Sequence, residues 1–348
     1  MIHVYLERSE GAEHKFYEAV TGAQTLTLRY GRIGTQGTTQ IKTFDTPQAA
    51  EAEAHKKLAE KRKKGYAEAV LGETEKKRPS PARIKLPKLL EPHREAIEAT
   101  LHPVIELTLS EESLVAWDSK VGGVPYRLQG EAWPLDPAGL PLAFLAQINF
   151  AQLPALEGFP NAGIVQFFIG TNDLMGFRFK NIDQPQDTYR VLYFEQVIHD
   201  ESQLDLSLPI WPDDRERHSP LEENLALKIS GVKGEMLMTP RDRLFESTVR
   251  IDFLDEADSP DDDLQLGEYL EEKYNEISPS GHQLGGYPMF TQEDPRTPEH
   301  AHILLFQLDS DWDHNIMWGD MGIGNFFIHP NDLAKRDFSR VFYNWDCS

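Results

Sequence analysis

The chain has 348 residues, 40% of them hydrophobic and 10% aromatic, which is enough for two domains or one large domain with ordinary buried cores. It contains no run of about 18 apolar residues and no basic, apolar leader, so we expect no membrane span and no secretory signal. The single Cys347 excludes an internal disulfide and a cysteine-ligated zinc site, and the cytoplasm is the expected compartment.

The formal net charge of −22 is divided unevenly along the chain. Residues 1–88 carry 17 Lys and Arg against 11 Asp and Glu, a net charge of +6. Residues 89–348 hold the remaining 18 basic and 46 acidic residues, a net charge of −28. A basic segment can approach phosphates, whereas nucleic acid repels a strongly acidic one, so the two parts should have different partners. Solubility alone is the alternative explanation of the acidic surface.

The N-terminal segment predicts three or four short antiparallel strands, because apolar and polar residues alternate over 2–6, 15–20, 25–34 and 38–44. A helix should follow these strands. Thr46 suits its N-cap, Pro47 its first turn and Gly65 the position after its end. The basic residues 61–64 lie where they stabilise the helix dipole, and phosphate contact is their alternative role.

The segment Tyr30-Gly31-Arg32-Ile33-Gly34, followed by a strand and an alanine-rich helix ending in Lys-Gly-Tyr, resembles the WGR domain of poly(ADP-ribose) polymerases and several bacterial proteins. The resemblance covers residues 1–70 and implies a small antiparallel sheet with one helix. It also implies contact with DNA or RNA, for which the candidate residues are Tyr30, Gly31, Arg32, Arg29 and Lys42. Tyr30 replaces the tryptophan of the family, but its ring can still stack on a base.

Residues 71–92 contain four prolines and a surplus of Lys and Arg without apolar periodicity. This composition is typical of an extended, solvated linker. The same basic residues could extend the electrostatic footprint of the preceding module on nucleic acid.

Residues 93–348 contain an imperfect internal duplication, with copies at about 121–195 and 284–345. Four segments match in the same order, which are Gly122-Gly123 with Gly285-Gly286, Gln147 with Gln307, Asn172-Asp173-Leu174 with Asn331-Asp332-Leu333, and Arg190-Val191 with Arg340-Val341. Short apolar segments between turn residues predict strands and long loops, hence a β-rich α+β fold.

From about residue 108 onward the chain is similar to the bacterial YwqG-like family, a domain whose function is not established. The resemblance lies in Trp133-Pro134, Gly285-Gly286-Tyr287-Pro288, Met317-Trp318-Gly319-Asp320 and Asp337-Phe338-Ser339-Arg340-Val341. It implies an α+β fold with much antiparallel sheet and supplies no catalytic assignment.

The duplication suggests one candidate ligand site. If the copies pack about a pseudo-twofold axis, equivalent strand ends could meet in a cleft. Its lining would be Gln147, Asn149, Gln307, Asp309, Trp318 and Asp320. The alternative is that the amide side chains hydrogen-bond loop backbone.

A second candidate is a metal site. Asp309, Asp311, Asp313 and Asp320, with Asn315, follow the spacing of a calcium loop, although His314 occupies the position that requires glycine. His300 and His302 would share one strand face and could chelate a transition metal. For both groups, packing or a hydrogen-bonded loop is the alternative.

These features favour a non-enzymatic adaptor without a cofactor, whose N-terminal module docks on DNA or RNA while the acidic domain binds a protein or small ligand. One alternative is a metal-assisted hydrolase centred on Asp309, Asp311 and Asp320. Another is a protein-interaction role such as neutralising a basic toxin. The common catalytic signatures, including Gly-x-Ser-x-Gly and His-Glu-x-x-His, do not occur.

Overall fold

The computed structural model describes residues 2–10, 13–32, 37–69, 84–179, 185–212, 216–261, 263–279 and 281–348. They form two compact units, Met1–Lys85 and Leu86–Ser348. Both units consist mainly of antiparallel sheet with short helices, so the predicted α+β class is confirmed.

The first unit is a five-stranded antiparallel sheet with one helix on one side, in the strand order β4-β3-β2-β1-β5. The elements are β1 (His3–Glu10), β2 (Glu13–Thr21), β3 (Thr25–Arg32), β4 (Thr38–Thr43), α1 (Pro47–Lys63) and β5 (Ala67–Glu68). Four of the strands follow the predicted alternation, whereas the two-residue β5 was not predicted.

Helix α1 begins and ends where the sequence predicts. The hydroxyl of Thr46 accepts a hydrogen bond from the Ala49 amide at 3.2 Å, and Gly65 lies just beyond the end with a φ of 84°. A left-handed residue at this position closes the last turn without the steric penalty of a Cβ. The helix covers one side of the sheet, where the core consists of Leu6, Tyr17, Ala19, Leu26, Leu28, Ala54 and Leu58.

The second unit contains a ten-stranded antiparallel sheet in the order β10-β9-β8-β7-β11-β6-β12-β13-β14-β15. Its strands are β6 (His102–Ser110), β7 (Lys120–Gly122), β8 (Ala143–Asn149), β9 (Ile164–Ile169), β10 (Tyr189–Phe194), β11 (Ala226–Met236), β12 (Gln283–Gly285), β13 (Ile303–Asp309), β14 (Ile323–Ile328) and β15 (Phe342–Asp346). The helices are α2 (Arg94–Glu98), α3 (Phe245–Val249), α4 (Leu266–Asn275) and α5 (Pro330–Lys335), with 3₁₀ helices at Lys88–His93, Phe150–Gln152, Glu201–Gln203 and Trp312–His314.

The strand order is symmetric about its centre when β6–β10 and β11–β15 are compared as two halves. β6 pairs with β11 and also with β12, while β11 pairs with β7, so the first strand of each half pairs with the second strand of the other. β8 and β13 carry a register shift at corresponding places, Phe144/Ala146 and Leu304/Phe306. These paired features support the duplication inferred from the sequence.

The core of the second unit contains aromatic rings from both halves. The ring of Phe167 lies 4.7 Å from Phe306 and 4.6 Å from Phe326, measured between centroids. The two edges of the sheet also approach each other, since the Tyr189 hydroxyl donates to the Val341 carbonyl at 2.8 Å. A single core therefore runs through both halves.

The predicted linker, residues 71–92, lies only partly within the described residues. Residues 71–83 lie outside the described residues, but Leu86 and Leu90 are buried in the second unit. Their apolar side chains gain more from burial than from an extended, solvated conformation. In the part of the chain that the structure describes, no helix is both long and apolar enough to span a bilayer.

Candidate functional site

An exposed aromatic ring lies on the helix-covered side of the first sheet, beyond the core. Tyr30 of β3 pairs with Tyr17 of β2, and their rings stack with centroids 6.1 Å apart and planes 19° apart. Tyr17 is only 4% exposed, whereas Tyr30 is 40% exposed. Burial raises the pKa of Tyr17 to about 12, so this ring stays neutral and supports Tyr30.

Lys61, near the end of α1, places a positive charge beside this tyrosine pair. Its Nζ lies 4.6 Å from the ring centroid of Tyr17 and 5.3 Å from that of Tyr66. Partial burial lowers the pKa of Lys61, and the positive charges of Lys64 and Lys57 lower it further. We call the group Tyr17, Tyr30, Lys57, Lys61 and Lys64 the tyrosine–lysine surface.

Arg29 lies on the opposite side of the sheet from Tyr30, because consecutive strand residues alternate between faces. Its Nε donates to Glu18 Oε2 at 2.7 Å, and its guanidinium lies 4.8 Å above the ring of Phe16. Burial acts to raise the pKa of Glu18, but hydrogen bonds from Arg29 and His3 outweigh it and lower that pKa. The guanidinium of Arg29 is therefore bound by side chains of the same unit, Glu18 and Phe16.

The other predicted contact residues are not gathered around Tyr30. Gly31 pairs with Phe16 on the same side as Arg29. Lys42 pairs with Leu26 on the helix side, four residues along β3 from Tyr30, which corresponds to about 13 Å. Arg32 ends β3, and its side chain lies outside the described part of the structure.

Sequence reasoning did not select Tyr17 as a partner of Tyr30, and it assigned the lysines of α1 mainly to the helix dipole. Tyr17 could have been found from the register of the β2–β3 hairpin. The proximity of Lys61 depends on how α1 crosses the sheet, which no local pattern specifies.

In the second unit, Gln147 is fully buried and makes four hydrogen bonds. Its oxygen accepts from the Tyr126 amide at 2.9 Å and from Gln166 Nε2 at 3.0 Å. Its nitrogen donates to the carbonyls of Ala116 at 2.8 Å and Asp118 at 2.7 Å. The full capacity of this amide is used inside the protein.

Gln307 makes the equivalent contacts in the second half. Its oxygen accepts from the Met289 amide at 2.8 Å, and its nitrogen donates to the Gly281 carbonyl at 2.7 Å. Asn325 then donates to the Met289 carbonyl at 2.9 Å, as Gln166 does to that of Tyr126 in the first half. The repeated pattern favours the interpretation that these amides hold loop backbone.

Of the remaining residues of the predicted cleft, Asn149 and Trp318 are buried, Asp309 is half-buried and Asp320 is exposed. Asn149 donates to the Trp117 carbonyl at 2.8 Å, and Trp318 is fully buried. Asp309 accepts from the Ser310 amide at 2.8 Å, whereas Asp320 is exposed. A ligand-binding role for this group stays a prediction that its burial does not favour.

The aspartates with calcium-loop spacing form a hydrogen-bonded turn. One oxygen of Asp311 accepts from the Asp313 amide at 3.0 Å, and the other contacts His314 Nδ1 at 2.7 Å and His282 Nε2 at 3.2 Å. Over the described ranges, no three His, Cys, Asp or Glu side chains are grouped so that they could hold a metal ion. His300 and His302, whose ring centroids lie 6.3 Å apart, are likewise not part of such a group.

Comparison with known proteins agrees with both sequence resemblances. The model of the WGR domain, a family of nucleic-acid-binding modules, matches residues 2–73. The model of the family described as domain of unknown function DUF1963, which is YwqG-like, matches residues 119–347. No curated protein gives a significant match.

One solved structure, of a protein from Bacteroides fragilis, is 33% identical over 20% of this chain and 20% of that chain, with a TM-score of 0.20. The chain thus spans about a fifth of that protein's length, and a likeness of this extent carries no argument. The family matches, in contrast, cover both units. The chain belongs to the DUF1963 family and carries an N-terminal WGR domain.

Proposed function

We propose that the N-terminal unit binds DNA or RNA through the tyrosine–lysine surface. The observations that support this most directly are the exposed ring of Tyr30, which stacks on Tyr17, and the Lys61 ammonium over the ring of Tyr17, with Lys57 and Lys64 near Lys61. An exposed aromatic ring can stack on a base or sugar, and ammonium groups attract phosphates. Tyr17 holds the ring of Tyr30 in place, which reduces the conformational entropy lost on binding.

In this proposal the chain is a non-enzymatic adaptor. Residues 89–348, which make up nearly all of the second unit, carry the net charge of −28, which nucleic acid repels, so this unit would recruit a protein or small ligand instead. The candidate amides of this unit are engaged with its own backbone, which supports a structural role for them.

The test is fluorescence anisotropy of labelled duplex and single-stranded oligonucleotides with the full chain over a salt series. Tyr30→Ala should weaken binding by the loss of one stacked base, about 1–3 kcal/mol. Lys61→Gln should reduce the dependence of log K on log salt by about 0.9 for duplex or about 0.7 for single strands, if one phosphate contact is lost.

Lys56→Gln is the matched control, because Lys56 is an exposed residue of the same helix and the substitution removes the same charge. It should change binding less than Lys61→Gln does. Equal effects of the two substitutions would indicate a diffuse electrostatic attraction without a defined surface. No binding at low salt would refute the proposal altogether.

A further inference from the structure

A cavity of about 570 Å³ lies beside the end of β15, and none of the residues considered as sites above is in its lining. Its apolar lining comes from Leu174, Phe177, Phe179 and Trp345. The indole nitrogen of Trp345 donates to the Leu174 carbonyl at 2.7 Å, which fixes the orientation of that ring. The cavity therefore offers a preformed aromatic wall.

Asp346 places a half-buried carboxylate in this lining. One oxygen, Oδ2, accepts from the Gln292 amide at 3.0 Å. The other, Oδ1, is buried and has no hydrogen-bond partner in the described part of the chain. Burial raises the pKa of Asp346, against smaller opposing effects of the neighbouring Gln292 and Thr291 and of the positive charge of Arg241. A carboxylate in this position costs stability unless a positive group approaches it.

The fold itself does not require an acidic residue at this position. Asp346 pairs with Ile323 in the β14–β15 ladder, and the pair at the same place in the β9–β10 ladder is Phe194 with Ile164. This ladder register differs by two residues from the sequence match of Arg190-Val191 with Arg340-Val341. Phe194 is apolar and packs edge-on against Tyr126, with ring centroids 5.1 Å apart. The same scaffold thus accepts a hydrophobic residue where the second half has a carboxylate.

Arg241 lies close enough for its positive charge to lower the pKa of Asp346, but its hydrogen bonds within the described residues go to other groups. It donates to the Gln292 carbonyl at 3.1 Å and to Glu271 at 3.3 Å. Among the described residues, the titratable groups of the lining are Arg241, Asp346, Glu293 and Cys347, so their charged side chains sum to −1. This local charge and the acidic domain around it attract a cation.

We propose that this cavity binds an organic cation with an alkylammonium group, which pairs with Asp346 while its hydrocarbon part packs on Trp345 and Phe177. Ammonium groups bind favourably over aromatic faces, and the site combines such faces with an incompletely paired carboxylate. The ammonium can belong to a free amine or to a lysine side chain of a peptide.

The test uses the full chain and three probes, N-acetyl-lysine methylamide, n-pentylammonium and the neutral N-acetyl-norleucine methylamide. Binding is followed by the indole N–H signal of Trp345 in ¹H–¹⁵N NMR spectra, assigned by its loss in Trp345→Phe. Both cationic probes should shift this signal and the neutral probe should bind about tenfold more weakly. If the lysine derivative binds more tightly than pentylammonium, the natural ligand is a lysine side chain of a peptide. If the two bind equally, the natural ligand is a free amine.

Asp346→Asn keeps the shape of the side chain and should weaken both cationic probes by about tenfold. Glu235→Gln, which removes one exposed negative charge of β11, is the matched control and should leave their binding unchanged. If Asp346→Asn does not fold, a pH titration of the unaltered chain replaces it, because acid that protonates Asp346 should weaken cationic probes only. Equal binding of the neutral probe, an unchanged affinity in Asp346→Asn, or pH-independent binding would overturn the proposal.

Discussion

Gln147 and Gln307 provide an internal test of whether the buried amides are structural. They occupy equivalent positions in the two halves and are both fully buried, but within the described residues Gln147 makes four hydrogen bonds and Gln307 makes two. Replacing each by Leu removes these bonds with little change in side-chain volume, so the cavity contribution is small. The backbone groups left behind cannot reach water easily, which makes their loss costly.

The expected magnitudes follow from the number of bonds. At about 1 kcal/mol net per hydrogen bond, Gln147→Leu should lower the free energy of unfolding by about 4 kcal/mol and Gln307→Leu by about 2 kcal/mol. The ratio of the two losses in unfolding free energy is more informative than either loss alone, because equivalent parts of the same fold surround both side chains.

The assay is urea unfolding followed by tryptophan fluorescence. All six tryptophans lie in the second unit, so the signal reports that unit alone. Equal losses in the two variants, or a loss below about 1 kcal/mol in Gln147→Leu, would refute the structural role. The ligand-binding interpretation of these amides would then be the better one.

Two further predictions concern ionisable groups. Arg29→Ala should destabilise the first unit by about 1–3 kcal/mol, because the buried Glu18 loses its main partner. Hydrogen exchange of β2 and β3 measures this loss, which should shrink as pH falls through the lowered pKa of Glu18, since the pairing stabilises only the ionised carboxylate. Asp346→Asn should stabilise the second unit near neutral pH, because the raised pKa of Asp346 means that its ionisation costs stability as pH rises from the usual Asp range to that pKa. A urea midpoint at pH 7 that is lower for Asp346→Asn than for the unaltered chain would contradict the predicted stabilisation.

Local signals were sufficient to predict much of the first unit. Strand alternation and the residues Thr46, Pro47 and Gly65 act within a few positions of themselves, so the sheet and the bounds of α1 could be predicted from the sequence. Arg29 and Tyr30, which the sequence analysis named together as contact residues, lie on opposite sides of the sheet because neighbours along a strand point to opposite sides. Only the packing of α1 decides which side is covered and which charges lie near the exposed ring.

In the second unit, the repeated segments indicated which strands of the two halves are equivalent. They did not indicate which strands are hydrogen-bonded neighbours in the sheet. That β6 pairs with β12 and β11 with β7 depends on contacts between distant parts of the chain. The same limit applies to single residues. One carboxylate among 57 acidic residues cannot be recognised as buried from its neighbours in sequence, and the cavity beside Asp346 is lined by segments near residues 174–179, 241, 292 and 346.

The sequence by itself therefore determined the local elements, the charge asymmetry and the two family resemblances, since these depend on composition and short-range pattern. The tertiary structure alone decided which side chains meet. Tyr17 with Lys61, Arg29 with Glu18, and Trp345 with Leu174 each combine residues from different segments of the chain. Burial and electrostatic environment arise from such contacts, and these contacts exist only once distant segments have packed together.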